Sequence, residues 1–170
     1  MSLSHTSAAF LRLAAAAALL GTGTVSAQAF APIVSLGGEH RVIHPNGVAD
    51  EILATQEETD GQLGIVVLGG TNGDGPGPAV VHAYRAEFWY VLEGQFEFHV
   101  GDKTINGGPG TFIAVDAGQP HGYIQKTAGK LLTIFSPGGY EHFFMDWDKK
   151  GLKPGPELGA LENFYGVTRP

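Results

Sequence analysis

Three side chains that can bind a metal ion or transfer protons sit at the ends of short apolar segments. His82 closes one segment, Glu87 opens the next, and His121 follows a second glycine-rich turn. Two imidazoles and one carboxylate form a facial triad that suits Fe²⁺ and leaves open positions for water, oxygen or substrate. Zn²⁺ would accept the same ligands with a water as the fourth. Mn²⁺, Ni²⁺ and Cu²⁺ are further alternatives, as is a site without metal.

The same side chains can also do acid–base chemistry. Glu87 and His121 are predicted as the catalytic residues, because a carboxylate hydrogen-bonded to an imidazole can move protons on a bound substrate. His82, Glu87 and His121 together are predicted as the metal ligands. The residues alone leave the choice between these roles open.

Four further residues are predicted to contact the substrate. Strand alternation places Trp89 and Tyr123 on the faces of the candidate ligands, where they could line a pocket for an aromatic molecule. Tyr84 lies in the turn between the first two ligands, at the expected rim of the pocket. Gln125 could donate a hydrogen bond to a ligand or to the candidate carboxylate.

Many short strands must position these side chains. The sequence holds 26 glycines and 10 prolines, and they fall between short apolar segments, as in all-β sandwiches and barrels. Val80, His82, Trp89 and Val91 would share the interior face. The predicted strands are Leu63–Leu68, Val80–His82, Glu87–Glu93, Gln95–Val100, Thr111–Val115, His121–Gln125 and Leu131–Phe135, and the predicted helices are Tyr140–Trp147 and Glu157–Tyr165.

Two sequence segments resemble the two motifs of the cupin superfamily. The first runs from Gly75 to His82 and continues with Glu87 and Gly94. The second maps onto Gly110, Asp116, Gly118, His121 and Gln125. The similarity covers about 59–144, and the stretch from Ser136 to Glu141 also resembles the quercetin-dioxygenase-like cupin-2 domain proteins.

This resemblance implies a fold and a reduced site. The fold would be a single cupin-type jelly-roll β-barrel over 59–145, with an extended arm over 28–58 and a helical tail over 146–170. A homodimer is also implied. A typical cupin site has three histidines and one glutamate, whereas this sequence has Val80 at the first histidine position. Asp116 and Gln125 replace the proline and asparagine of the second motif.

Three functions are compatible with this pattern. The resemblance favours a metal-dependent oxidoreductase of dioxygenase type that acts on a small, phenolic molecule. A metal-independent isomerase or cyclase would instead use Glu87 and His121. A cupin that only binds a sugar or another small molecule is the third alternative.

The N-terminal segment and the charge narrow the setting. Residues 1–27 are predicted to be a removed signal peptide, because a single arginine precedes the apolar run Leu13–Leu20 and small residues follow at the cleavage position. A secreted or periplasmic protein without a membrane span is therefore expected. The net charge of −7 and the absence of cysteine argue against nucleic-acid binding and exclude thiol catalysis.

Overall fold

Two antiparallel β-sheets and two short helices form the part of the protein that the structure describes. The computed structural model describes residues 30–170, and the predicted signal peptide, 1–27, lies outside them. Neither helix in this described part is long and apolar enough to cross a bilayer. The elements are β1 (Arg41–Ile43), β2 (Asp50–Ala54), β3 (Gly64–Gly70), β4 (Gly77–His82), β5 (Ala86–Glu93), β6 (Phe96–Val100), β7 (Lys103–Gly107), β8 (Phe112–Val115), β9 (His121–Gln125), β10 (Gly129–Ser136), α1 (Glu141–Lys150), α2 (Pro156–Phe164) and β11 (Val167–Thr168).

The sheets form the open jelly roll of an all-β protein. The larger sheet has the order β1-β2-β3-β10-β5-β8, and the smaller one has the order β11-β4-β9-β6-β7. Their inner faces share one apolar core, in which Trp89 of the larger sheet stacks on Phe98 of the smaller one at 5.4 Å between ring centroids. The predicted fold class is confirmed.

Alternation along the strands sets which side chains face inward. In β5, Glu87, Trp89 and Val91 are buried while Tyr90 and Leu92 are exposed. In β9 the first, third and fifth residues are buried, as the period of two requires. The candidate ligands therefore point between the sheets because of their strand positions.

The connection between the first two candidate ligands joins the two sheets. β4 pairs with β9 and β11, whereas β5 pairs with β10 and β8, so the turn after His82 carries the chain from one sheet to the other. His82 and Glu87 face each other across the core rather than along one sheet. His82 and Glu87 therefore come together because the two sheets pack against each other.

Within the segment expected as an extended arm, 28–58, residues 41–43 and 50–54 are strands of the larger sheet. β1 and β2 pair with each other, and β2 also pairs with β3. Asp50 opens β2, and its side chain accepts a hydrogen bond from the Gly69 N–H at 2.9 Å. This segment therefore brings a carboxyl group to the edge of the interior, which an irregular arm would not do.

The C-terminal helices are fastened over one end of the sheets. Glu141 is fully buried and accepts hydrogen bonds from the backbone N–H groups of Gln56 and Gly139, both at 2.7 Å. β11 pairs with β4, with Val167 opposite His82. The predicted boundary between 145 and 146 falls inside α1, and the tail is integrated into the fold.

Candidate functional site

The three predicted ligands converge at the interface of the two sheets. His82 ends β4 and His121 begins β9 in the smaller sheet, while Glu87 comes from β5 in the larger one. The Glu87 Oε2 atom lies 3.1 Å from His82 Nε2 and 3.0 Å from His121 Nε2. All three side chains are buried. One carboxylate oxygen therefore lies about 3 Å from two imidazole nitrogens.

The hydrogen bond of His121 Nδ1 determines which nitrogen of the ring carries a proton. The His121 Nδ1 atom lies 2.6 Å from the Gln119 carbonyl oxygen, so Nδ1 carries a proton that it donates. In the neutral ring, Nε2 would then present a lone pair to a carboxylate oxygen, which is repulsive. A second ring proton, a proton on the Glu87 carboxyl group or a bound cation would make the contact favourable.

The site fits a metal ion by this criterion and by its spacing. Two ligands about 2.1 Å from one ion and at right angles to each other lie about 3 Å apart, close to the two distances from Glu87 Oε2. The backbone carbonyl behind His121 orients that ring as it does in many metal sites. His82 lacks such support, since its Nδ1 has no hydrogen-bond partner among residues 30–170.

Other groups hold the His82 ring in place. It stacks on His121 at 5.4 Å between ring centroids and meets the Tyr140 ring at a right angle at 4.5 Å. Val80, at the position where the resemblance expects a further histidine, is paired with His121 in the sheet and is buried. An apolar side chain therefore occupies the place of a fourth protein ligand.

Without metal, mutual contacts shift the pKa values of the pair. Burial raises the pKa of Glu87, but hydrogen bonds to His121 and His82 and their charge outweigh burial and lower it to about 2. Burial lowers the pKa of His121, and its hydrogen bond to Glu87 and the attraction between them raise it above the ordinary value. In the metal-free protein these shifts favour a carboxylate on Glu87 that faces a protonated His121 ring.

Trp89 orients the carboxylate from behind. Its indole N–H donates to Glu87 Oε1 at 2.8 Å, which leaves Oε2 for the two histidines. The Trp89→Phe variant should bind Zn²⁺ about tenfold more weakly, because loss of a group that orients a ligand typically costs 10- to 100-fold in affinity. Titration against a chromogenic chelator measures this change. Trp147→Phe is the control, since the Trp147 indole donates to Leu152 instead, and equal losses in both variants would contradict the role.

A cavity of about 370 Å³ opens onto His82 and Glu87. His121 does not line it and lies behind them. One wall is the aromatic side of α1, and Tyr123 contributes from β9. The aromatic side chains of that helix and its first turn are Tyr140, Phe143, Phe144 and Trp147. The volume and lining are those of a site for a small organic molecule.

Of the four residues predicted to contact substrate, only Tyr123 lines this cavity. The Trp89 indole N–H donates to Glu87. The Gln125 amide donates to the Gly70 carbonyl oxygen at 2.9 Å. Tyr84 is 56% exposed and packs against Arg85 and the C-terminal segment. These three side chains do not line the cavity, because neighbours that the local sequence does not reveal engage them, and their contact with substrate stays a prediction.

Several cavity residues were not foreseen. The spacing of Tyr140, Phe143, Phe144 and Trp147 is that of one helical face, so the sequence did carry a signal for this wall. Asp50 and the ion pair of Glu162 with Arg169 also line the cavity. No local pattern marks Asp50, because its position depends on the pairing of β2 with β3.

Comparisons with known proteins agree with this architecture. The model of the cupin domain family matches residues 64–135. These residues are a cupin domain. A RmlC-like cupin from Shewanella frigidimarina NCIMB 400 superposes with a TM-score of 0.56 at 20% identity, covering 68% of this chain and 99% of that one. The resemblance inferred from the two motifs is confirmed.

Two further relatives carry functional names. Quercetin 2,3-dioxygenase of Bacillus subtilis (strain 168) is 32% identical over 117 residues, which is 66% of this chain. The chain spans about a third of that relative's length, 34%. A Bacillus subtilis oxalate decarboxylase, described with Mn(II) centres, superposes with a TM-score of 0.50 at 17% identity, covering 59% of this chain and 28% of that one.

Proposed function

We propose that this cupin is a metal-dependent oxidoreductase of dioxygenase type that acts on a small phenolic molecule. The observation that carries the proposal is the convergence of His82, Glu87 and His121 on one point at the end of an aromatic cavity. The sequence similarity to quercetin 2,3-dioxygenase supports the reaction class and the substrate class. The Mn(II) centres of oxalate decarboxylase add manganese to iron as a candidate ion.

Each part of the site has a task in this reaction. His82, Glu87 and His121 would hold the ion, which when bound supplies a Lewis acid and a redox centre for dioxygen and a substrate oxygen. Trp89 and the Gln119 carbonyl keep two of these ligands in orientation. Tyr140 and Phe143 provide flat apolar surface against which an aromatic ring can stack. The cavity walls exclude bulk water from the point where the three ligands meet.

A direct contact favours one alternative. The 3.0 Å contact between His121 Nε2 and Glu87 Oε2 is also what a metal-independent isomerase or cyclase would use as its acid–base pair. Such an enzyme would need neither metal nor oxygen. Metal dependence therefore separates the two functions.

Metal analysis combined with oxygen uptake tests the proposal. Protein purified without added metal should contain a first-row transition metal in roughly stoichiometric amount, and it should consume oxygen when quercetin is added. His82→Ala and His121→Ala should lose both properties, because each variant removes one of three protein ligands. His99→Ala is the matched control, since His99 lies on β6 and contacts Glu97 and Thr104 instead.

The outcomes separate the candidate functions. Turnover of quercetin in chelator-treated protein without oxygen uptake would overturn the oxidoreductase and favour the acid–base enzyme. Binding of quercetin without any turnover, by protein that carries no metal, would identify a binding protein.

A further inference from the structure

Asp50 is a buried carboxyl group on the wall of the same cavity. It opens β2, it is 5% exposed, and it lines the cavity together with Leu68 and Tyr123. One of its oxygens, Oδ1, accepts the Gly69 N–H at 2.9 Å. The carboxyl group is therefore fixed by the sheet and cannot turn freely.

The second oxygen of Asp50 is not used by the protein. Within residues 30–170, Oδ2 has no hydrogen-bond partner and Asp50 has no ion pair. Its neighbouring charged groups are also acidic, namely Asp74 and Asp148. Asp74 is itself engaged, because its Oδ2 accepts hydrogen bonds from the backbone and hydroxyl of Thr71 at 2.6 and 3.0 Å. Because Asp50 lines the cavity and its Oδ1 is engaged, Oδ2 is the oxygen that can accept a hydrogen bond from a donor in the cavity.

The position of Asp50 determines which part of a bound ligand it can contact. Two strands, β3 and β10, separate β2 from β5 in the larger sheet. The pairing registers place Asp50 level with Val91, which is four residues from Glu87 along β5, so the two carboxyl groups line different parts of the cavity. A ligand that contacts both ends must therefore extend along the cavity.

The cavity lining also defines the charge of the ligand. Arg169 lines the cavity, but Glu162 binds its guanidinium at 2.6 and 3.0 Å. Asp50 and Asp74 line the same cavity. Among the described residues this lining offers no free cation for a carboxylate ligand, whereas it does offer an acceptor for a hydroxyl group.

We propose that Asp50 binds a hydroxyl group at the end of the substrate opposite to the one held near His82 and Glu87. This assignment rests on the proposed function, and it narrows the substrate to neutral aromatic molecules with a second, distal hydroxyl. Burial raises the pKa of Asp50 from 3.8 to about 7. Near neutral pH the carboxyl group can therefore accept or donate in this contact.

Two flavonols separate this contact from general stacking. Quercetin carries hydroxyl groups on its distal rings, whereas 3-hydroxyflavone keeps only the hydroxyl beside its carbonyl group. Asp50→Asn should weaken quercetin binding about tenfold, since hydrogen bonds to a charged partner are worth about that factor. Binding of 3-hydroxyflavone should change less than twofold. Quenching of tryptophan fluorescence in the full-length protein measures both affinities.

The control and the folding test use the same strand. Glu51→Gln replaces the neighbouring acid, which pairs with His40 and Lys130 outside the cavity, and it should leave both affinities unchanged. In Asp50→Asn the amide oxygen can still accept the Gly69 N–H, so the variant should fold. Its thermal unfolding is recorded alongside binding, and Asp50→Leu, which removes all polar contact, should match or exceed the loss.

The results distinguish this proposal from the proposed function. Equal weakening of both flavonols, no weakening of either, or no binding of quercetin to the wild-type protein would each overturn the role of Asp50. A selective loss of quercetin affinity supports it even if quercetin is never oxidised, in which case only the reaction is refuted.

Discussion

Glu87→Ala should lower the unfolding free energy of the metal-free protein by about 3–5 kcal/mol, the cost of breaking a buried ion pair by removing one partner. Glu87 accepts from the Trp89 indole and faces the Nε2 atoms of His82 and His121. Its removal leaves these three buried groups without an acceptor. Urea unfolding of chelator-treated protein at pH 6, followed by tryptophan fluorescence, measures the change.

An acid outside the core provides the comparison for Glu87. Glu97 also contacts a histidine and a second cation, His99 and Lys126, but on the outer face of β6. Glu97→Ala should leave the unfolding free energy close to that of the wild type, because solvent screens such pairs. A loss below about 1 kcal/mol for Glu87→Ala would show that the histidines are satisfied without the carboxylate.

The inward position of the Glu87 carboxylate could be predicted from the sequence. Alternation with a period of two places Glu87, Trp89 and Val91 on one face of β5 whatever the rest of the fold does. His82 and His121 lie at strand ends next to turns, where inward side chains of both sheets meet. The inward direction of the candidate ligands therefore follows from local pattern, whereas Val80 as the apolar substitute for a further ligand follows from the resemblance to the cupin motifs.

The partners of these residues do not follow from local pattern. Whether Gln125 faces a ligand or a carbonyl depends on Gly70, which is 55 positions away in the chain. Trp89 lies on the correct face, yet its indole N–H belongs to Glu87 and not to a substrate. Each of these contacts is fixed by long-range sheet order, which one sequence does not specify.

Strands β1, β2 and β7 were not predicted from the sequence, because local pattern does not mark them. β7 has mostly exposed residues, so it has no apolar alternation to detect. β1 and β2 have only three and five residues, and the glycines and prolines around them resemble an irregular arm. Missing β2 also meant missing Asp50, the one cavity acid that is buried and keeps an unpaired oxygen in the described structure.

The stability of Asp50→Asn should exceed that of the wild type at neutral pH, and the difference should grow with pH. Burial raises the pKa of the folded carboxyl group from 3.8 to about 7, with smaller contributions from Asp148 and Asp74. A raised pKa means that the folded state binds the proton more tightly than the unfolded state does. The favourable contribution of Asp50 is therefore complete below about pH 3.8 and is lost as the pH rises through 7.

The size of this change follows from the interval between the two pKa values. One pKa unit corresponds to about 1.4 kcal/mol, so the advantage of Asp50→Asn should increase by up to about 4 kcal/mol from pH 4 to pH 7.5. Above that pH it should stay constant. Urea unfolding of both proteins across this range gives the difference directly, and titrations common to both proteins cancel.

The contribution of Glu51 to stability should depend on pH in the opposite direction to that of Asp50. Hydrogen bonds from His40 and Lys130 lower the pKa of Glu51, so its contribution is present above its unfolded pKa and lost as the pH falls. Glu51→Gln should therefore lose stability relative to the wild type as the pH rises through the carboxylate range. A pH-independent difference for Asp50→Asn, or one with the sign of Glu51→Gln, would show that Asp50 already has a partner.

Ligand binding should also shift the protonation equilibrium of Asp50. A hydroxyl group that donates to Asp50 stabilises its ionised form and moves the pKa back toward the ordinary value. Saturating quercetin should therefore reduce the pH-dependent part of the stability difference between wild type and Asp50→Asn, whereas 3-hydroxyflavone should leave it unchanged. Since each ligand is compared with itself across pH, general stabilisation by binding does not produce this effect, and only a contact at the Asp50 carboxyl does.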